Sequence, residues 1–313
     1  MKNFAIIGVA GYIAQRHVKA VKDTNNNLVA ALDKFDSVGF LDSYFPKVDF
    51  FTEFERFDRH VANLAETEKK IDYVSICTPN YLHDSHIRFA LRNNANAICE
   101  KPSVLNPWNV DKLIEFEKNH EKKIFNILQL RLHPAISALK QKINNSKNNK
   151  KYNIDLAYIT SRGNWYHYSW KGDIQKSGGI ATNIGIHFFD MLIWIFGNVI
   201  SSKIFISDNE TAGGLLELEN ANIKWMMSIN EKYLPKHIKE QGKRTYRSLI
   251  IENEEIEFSD GFTELHTESY KKILAGQGFR IEETRNCIQT AYDIRNAVPI
   301  GLVGDYHELL KVK

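Results

Sequence analysis

The run Ala97-Ile98-Cys99-Glu100-Lys101-Pro102 sets a carboxylate and an ammonium directly after an apolar stretch. An ion pair that only keeps a surface soluble does not need that place. A lysine there has a defined use, since its ammonium held beside a reacting hydroxyl favours a developing alkoxide, and partial burial lowers its pKa. A second candidate is Ser177-Gly178-Gly179-Ile180-Ala181-Thr182-Asn183-Ile184-Gly185-Ile186-His187-Phe188-Phe189-Asp190. Its pattern predicts a helix over roughly 183–196, with Asn183 and His187 on one helical face, able to project into a site shared with Lys101. Asp190 is read as orienting the imidazole or serving the fold.

Gly8-Val9-Ala10-Gly11-Tyr12-Ile13-Ala14 lies where a first strand turns into a first helix, and its small residues let backbone approach a pyrophosphate. The spacing is GxxGxxA rather than GxGxxG, so its context has to carry the reading. Asp33 ends the second apolar run, where a carboxylate accepts from an adenosine ribose and repels the 2′-phosphate of NADP. NAD is therefore the expected cofactor, with Gly8, Ala10, Gly11, Tyr12, Ile13 and Asp33 around it. Lys34, beside Asp33, works against that selectivity. Thr78, Asn80 and His83 follow the fourth apolar run, at the edge where an open sheet binds its ligand, and join the cofactor set.

These motifs need elements to hold them. Short apolar runs alternate with helical-period segments up to residue 130: FAIIGV, LVAAL, VDFF, IDYVSIC, ANAIC and KIFNILQ, with helices between them. That alternation predicts a doubly wound parallel sheet. Beyond it, IDLAYIT, SKIFISD, GGLLELE, NIKWMMSIN and RSLIIENEEIEF read as strands, with further helices near 267–275 and 282–297. The expected fold is α/β, an N-terminal Rossmann domain over 1–130 followed by an α+β domain over 131–313 on a mostly antiparallel sheet. Asn144 to Asn153 reads as an exposed connection.

Two segments of the second domain offer contacts for an anionic ligand. Gln129 and Arg131 give an amide and a cation with no carboxylate close by, while Arg162, Tyr166 and Lys171 bring cations and aromatics just ahead of the glycine-histidine helix. The cluster reads equally as a sheet edge or subunit contact.

A net charge of +3 over 313 residues, with no long basic block, argues against a nucleic-acid arm. Three cysteines without metal spacing suit free thiols in a reducing cytosol, and no metal is expected. The opening MKNFAIIGVAGYIA has a signal-like outline, but its glycines suit a phosphate turn better. No apolar run approaches the roughly 20 residues that span a bilayer, and a soluble cytoplasmic protein is expected.

The glycine turn, the Thr78-Pro79-Asn80 segment, Glu100-Lys101-Pro102 and the later glycine-histidine helix occur in the order of the glucose-fructose oxidoreductase and inositol dehydrogenase family, which the chain resembles over nearly its whole length. The resemblance implies that Lys101 is catalytic, that Glu100 helps place the nicotinamide, and that Asn183 and His187 contact the reacting sugar. Many members carry Asp at the position of Asn183, which leaves Lys101 and His187 as rivals for the base; His187 is favoured, with Lys101 as donor. The segments around Lys171 and His187, with SDGFTELHTESYKKILAGQGF, are most similar to members that oxidise the 3-hydroxyl of UDP-N-acetylglucosaminuronic acid in bacterial surface-polysaccharide synthesis. That likeness implies Arg162 or Arg131 at the uronate, a homo-oligomer that is a tetramer, and hand-over of the 3-keto product to an aminotransferase. Another sugar nucleotide, an aldose or an inositol is the alternative substrate. An NAD-binding sensor without turnover is the second alternative.

Overall fold

A computed structural model describes residues 1–146, 150–258, 261–262 and 264–311. The chain divides into two compact units, Met1–Gln129 with Thr263–Arg285, and Leu130–Phe262 with Asn286–Lys313. The first unit alternates β1 (Asn3–Ile7), α1 (Ala14–Asp23), β2 (Asn27–Leu32), β3 (Asp49–Phe51), α2 (Phe54–Leu64), β4 (Tyr73–Ile76), α3 (His83–Arg92), β5 (Asn96–Cys99), α4 (Pro107–His120) and β6 (Ile124–Asn126). The strands form one parallel sheet in the order β3-β2-β1-β4-β5-β6. Phe4, Ala5, Ile6 and Ile7 are all buried, as helices on both faces require of a central strand. Each such large side chain contributes roughly 1.5–3 kcal/mol by leaving water. Pro107 opens α4, where its missing N–H costs nothing.

The second unit holds α5 (Pro134–Asn145), β7 (Tyr152–Thr160), α6 (Trp165–Tyr168), α7 (Ile174–Ser177), α8 (Gly179–Asn183), α9 (Ile186–Phe196), β8 (Val199–Ser207), β9 (Thr211–Leu218), β10 (Ala221–Ser228), α10 (Lys236–Glu240), β11 (Thr245–Ile251) and β12 (Glu254–Glu257). Its sheet runs β12-β11-β7-β10-β9-β8 and is antiparallel except where β7 meets β10. RSLIIENEEIEF folds as a hairpin, because Glu252 and Asn253 both take positive φ, 50° and 71°, the backbone of a tight two-residue turn. Trp225 on β10 pairs with Gly214 on β9, where a side chain would run into the Lys203 backbone of β8. The indole meets the Phe189 ring edge-on at 5.4 Å and so fixes α9 on the sheet.

Two features depart from the sequence reading. The glycine-histidine segment is not one helix: α8 and α9 break at Ile184 and Gly185, and the axis bends by 43° between Ile174–Asn183 and Ile186–Phe196. A Cβ on Gly185 would lie 2.8 Å from the Phe189 ring and 2.9 Å from Met227 Sδ, so the chain turns where only glycine fits. Asn183 and His187 thus lie on two helices, not on one helical face.

The second departure concerns α11 (Leu265–Leu274), which belongs to the first unit although it follows all twelve strands. Tyr270 stacks on Phe4 at 5.7 Å, and Tyr270 and Ile273 join the core formed by Phe4, Ile6, Val18 and Ile98. The last long helix, α12 (Arg285–Asn296), leads back into the second unit. No single helix among the described residues is long and apolar enough to cross a membrane.

Candidate active site

The glycine turn after β1 is built by close approach. Gly8 has φ +87°, and a Cβ there would sit 2.7 Å from the Cys77 carbonyl carbon and 2.8 Å from Thr78 N. Its N–H donates to Leu32 O at 2.8 Å, and Gly11 N–H returns to Gly8 O at 3.1 Å. Asp33 closes the turn from β2, with Oδ2 accepting the Ala10 N–H at 3.0 Å and Oδ1 accepting the Phe35 N–H at 3.0 Å. Helix α1 then starts behind Ile13 with no side-chain cap and no acid in its first turn. Ala14 and Arg16 N–H donate to Gly11 O and Ile13 O at 3.0 Å, and the helix dipole favours an anion at this end. This loop fits a pyrophosphate. Tyr12 stands 83% exposed beside it.

At the end of β4, Thr78 Oγ1 meets His86 Nδ1 at 3.0 Å, and burial lowers the His86 pKa to about 4. Asn80 is buried. His83 sets Nδ1 2.7 Å from Pro102 O and Nε2 2.8 Å from Thr78 O. Burial pushes its pKa down against the pull of both carbonyls, so the neutral ring donates to only one of them. Buried at 1% exposure with its ring between the Thr78 and Pro102 carbonyls, His83 joins two loops in place of the cofactor contact read from the sequence.

Glu100 is likewise turned inward. It is 7% exposed, and its Oε1 accepts from His17 Nε2 at 3.0 Å and from His266 Nε2 at 2.9 Å. Burial raises its pKa, but these two donors more than offset that and hold the carboxyl well below the ordinary range. Oε2 accepts the Lys101 N–H at 3.3 Å. Glu100 therefore anchors the turn that carries Lys101, and its side chain is already spoken for. His17 and His266 escape a sequence search, although His17 does leave a trace, since it lies on the buried stripe of α1 with Ala14, Val18 and Val21.

The second unit brings some of its candidates together. Asn183 Nδ2 donates to Tyr166 Oη at 2.9 Å, and burial raises the Tyr166 pKa against that bond and the nearby Arg162 charge. Lys171 Nζ lies 5.1 Å from the Trp165 ring centroid and 5.6 Å from that of Trp170, a cation over two aromatic faces. Arg162 is exposed, with its N–H tied to Ile229 O at 2.9 Å. His187 is half-buried in the first turn of α9. Gln129 begins the 3₁₀ turn Gln129–Leu132 that leaves the first unit.

Arg131 sits elsewhere in that unit. Its Nε and Nη2 donate to Asp190 Oδ2 and Oδ1 at 2.9 and 2.7 Å, and the two side chains are 6% and 3% exposed. The reading of Arg131 as an anion contact gives way to a buried bidentate pair, which gives Asp190 a role in the fold.

Comparison with known proteins agrees with this architecture. Residues 2–127 match the oxidoreductase family profile for an NAD-binding Rossmann fold, and residues 140–227 match the C-terminal alpha/beta domain of the same family. The crystal structure of the WlbA (WbpB) dehydrogenase from Thermus thermophilus in complex with NAD and alpha-ketoglutarate superposes with a TM-score of 0.95 at 45% identity, covering 98% of this chain and 99% of that one. The same enzyme in complex with NAD and UDP-GlcNAcA gives 0.95 at 44%, again over 98% and 99%. Among curated relatives, the inositol 2-dehydrogenase of Rhizobium meliloti is 27% identical over 62% of this chain and 54% of its own length. The putative oxidoreductase YteT of Bacillus subtilis is 28% identical over 41% and 30%. The chain thus spans about half, or less, of these two curated relatives. The N-terminal half of the family pattern spans the glycine turn and the Glu100-Lys101-Pro102 segment, the C-terminal half spans the glycine-histidine segment, and the chain belongs to the Gfo/Idh/MocA family of NAD-binding oxidoreductases.

Proposed function

We propose that this protein oxidises the C3 hydroxyl of UDP-N-acetylglucosaminuronic acid to the 3-keto sugar nucleotide. The observation that carries the proposal is the near full-length likeness, 45% identical with a TM-score of 0.95, to a dehydrogenase whose structures hold NAD and that sugar nucleotide. When bound, NAD supplies the hydride acceptor for the C3 hydrogen. Gly8, Ala10, Gly11, Ile13 and the first turn of α1 hold the pyrophosphate, and Asp33 holds the adenosine ribose. His187 takes the hydroxyl proton as C3 becomes a carbonyl. Lys101 stabilises the charge that grows on the same oxygen before that proton has fully left. Arg162 pairs with the uronate, and Tyr166, Lys171 and Asn183 supply further contacts, the last through the hydroxyl it already holds.

The proposal extends to the setting: a homotetramer in the cytoplasm, making a precursor for lipopolysaccharide O-antigen and passing its product to an aminotransferase. The neighbour that holds alpha-ketoglutarate favours a second reading of turnover, in which a 2-keto acid reoxidises the cofactor in place.

Absorbance of reduced nicotinamide is the test, after mixing protein, NAD and UDP-N-acetylglucosaminuronic acid with and without 2-oxoglutarate and a coupled aminotransferase. UDP-N-acetylglucosamine, glucose and inositol serve as controls. Reduction or coupled product with the uronate alone supports the proposal. Activity on a control sugar instead replaces the substrate and keeps the chemistry; silence with all of them promotes the sensor reading. Lys101→Ala and His187→Ala are each expected to lose several orders of magnitude in turnover while still binding NAD.

A further inference from the structure

The directions of the hydrogen bonds around Glu100 follow from the donors present. A carboxylate only accepts, so His17 and His266 both present Nε2–H to Oε1. His17 in that form has a bare Nδ1, and the Tyr270 hydroxyl donates to it at 2.8 Å. Ser75 Oγ then donates to the Tyr270 oxygen at 2.6 Å. Ser75, Tyr270, His17 and Glu100 thus form one directed run with its protons consistently placed. His266 Nδ1 is buried without a hydrogen-bond partner among the described residues. Burial lowers the His17 pKa, which keeps that ring neutral beside an ionised Glu100. The three ligand atoms lie within 4.8 Å of one another, yet each approach is accounted for by a hydrogen bond.

The neighbouring residues are tied as well. Glu100 N–H donates to Ile76 O at 3.1 Å, His83 Nδ1 meets Pro102 O, and Ser103 Oγ meets Thr284 Oγ1 at 3.2 Å. Lys101 sits between pinned residues on both sides. We propose that His17 and His266 are positioning residues for the dehydrogenation: they lock the Glu100 carboxylate inward, and Glu100 in turn fixes the backbone that presents Lys101. This rests on Lys101 acting in the reaction proposed above. The role is reached from helices at opposite ends of the sequence, α1 and α11.

The groups facing Glu100 are His17 with Arg16 behind it on α1, His266 and Tyr270 on α11, Cys77 after β4, Cys99 on β5, His83 on α3, and Lys101. Losing a donor raises the pKa of Glu100, so its ionised form, and the activity that depends on it, disappears at a higher pH as pH falls. A lost hydrogen bond to a charged group moves the Glu100 titration up by about one pH unit or more.

The test is turnover of NAD with UDP-N-acetylglucosaminuronic acid across the acid and neutral range for the wild type, His17→Leu, His17→Gln and His266→Leu. Glutamine returns an N–H near the position of Nε2. We expect the leucine variants to lose at least tenfold in kcat with little change in KM and to keep NAD affinity within about threefold, and His17→Gln to recover most of the loss. Equal losses in His17→Leu and His17→Gln would mean that His17 only fills space, and would overturn the proposal. If His17→Leu does not fold, His17→Asn, whose amide falls short of Glu100, takes its place. A wild type silent on the sugar nucleotide sinks the substrate reading separately. The network is then judged by ¹⁵N-histidine spectra of the NAD complex, where hydrogen-bonded Nε2–H groups on both His17 and His266 support it and a ring lacking one overturns it.

Discussion

Replacing Asp190 with alanine should lower the unfolding temperature of the second unit by roughly 6–20 °C. The pair is bidentate, with contacts of 2.9 and 2.7 Å, and both side chains are almost fully buried. Removing one member leaves an uncompensated buried guanidinium, which costs about 3–5 kcal/mol. In a domain of this size each kcal/mol moves the midpoint by roughly 2–4 °C. Thermal denaturation followed by circular dichroism reads the shift, with the sugar-nucleotide KM measured in parallel below the transition. The double change Arg131→Met with Asp190→Leu should recover most of the loss, because neither charge then needs a partner. The reasoning is refuted if Arg131→Met costs under about 1 kcal/mol and instead raises the KM about tenfold. Arg131 would then be a ligand contact after all.

Three further outcomes concern the glycine turn, Asp33 and the buried thiols. Gly8→Ala should weaken NAD binding at least tenfold by calorimetry, since its φ of +87° and a Cβ 2.7 Å from Cys77 force the turn to move; an unchanged Kd would show that the turn can relax without harm. Asp33→Ala should raise the NADP-to-NAD affinity ratio while weakening both cofactors, because the carboxylate also holds Ala10 and Phe35. A ratio that does not move places selectivity elsewhere. Burial pushes the Cys77, Cys99 and Cys287 thiols well above their ordinary range; alkylation by iodoacetamide at mildly alkaline pH should run on the order of a hundredfold slower in the native protein than in denaturant, and a fast native thiol would contradict that burial.

The first unit was legible because each apolar run is short, continuous and followed by a helical period, which is what a parallel sheet covered on both faces demands. What escaped reading depends on partners distant in sequence. Arg131 looks like a free cation until Asp190 arrives from α9, and Glu100 looks like a cofactor ligand until His17 and His266 claim its oxygen. Helix α5 is masked in the sequence because its polar C-terminal turn merges with the polar run that follows it. The break between α8 and α9 has a local sign in Gly185, where a side chain would meet the Ala181 carbonyl and Phe189, but the crowding by Met227 from β10 is not reported by spacing. Gly8, Asp33 and the Glu100-Lys101-Pro102 turn were legible because their meaning lies at the ends of adjacent strands.

Helix α11 also bears on how the protein is made. Ser75, His17 and Glu100 emerge early from the ribosome, but Tyr270 and His266, which complete their hydrogen bonds, come after every strand of the second unit. The nascent nucleotide-binding unit therefore waits, with a buried carboxylate short of one donor and a core short of Tyr270 and Ile273, while the rest of the chain is translated. A gene fragment ending near residue 130 would encode that waiting state, and a chain cut just before α11 would forfeit the order of its first unit by losing residues near its end.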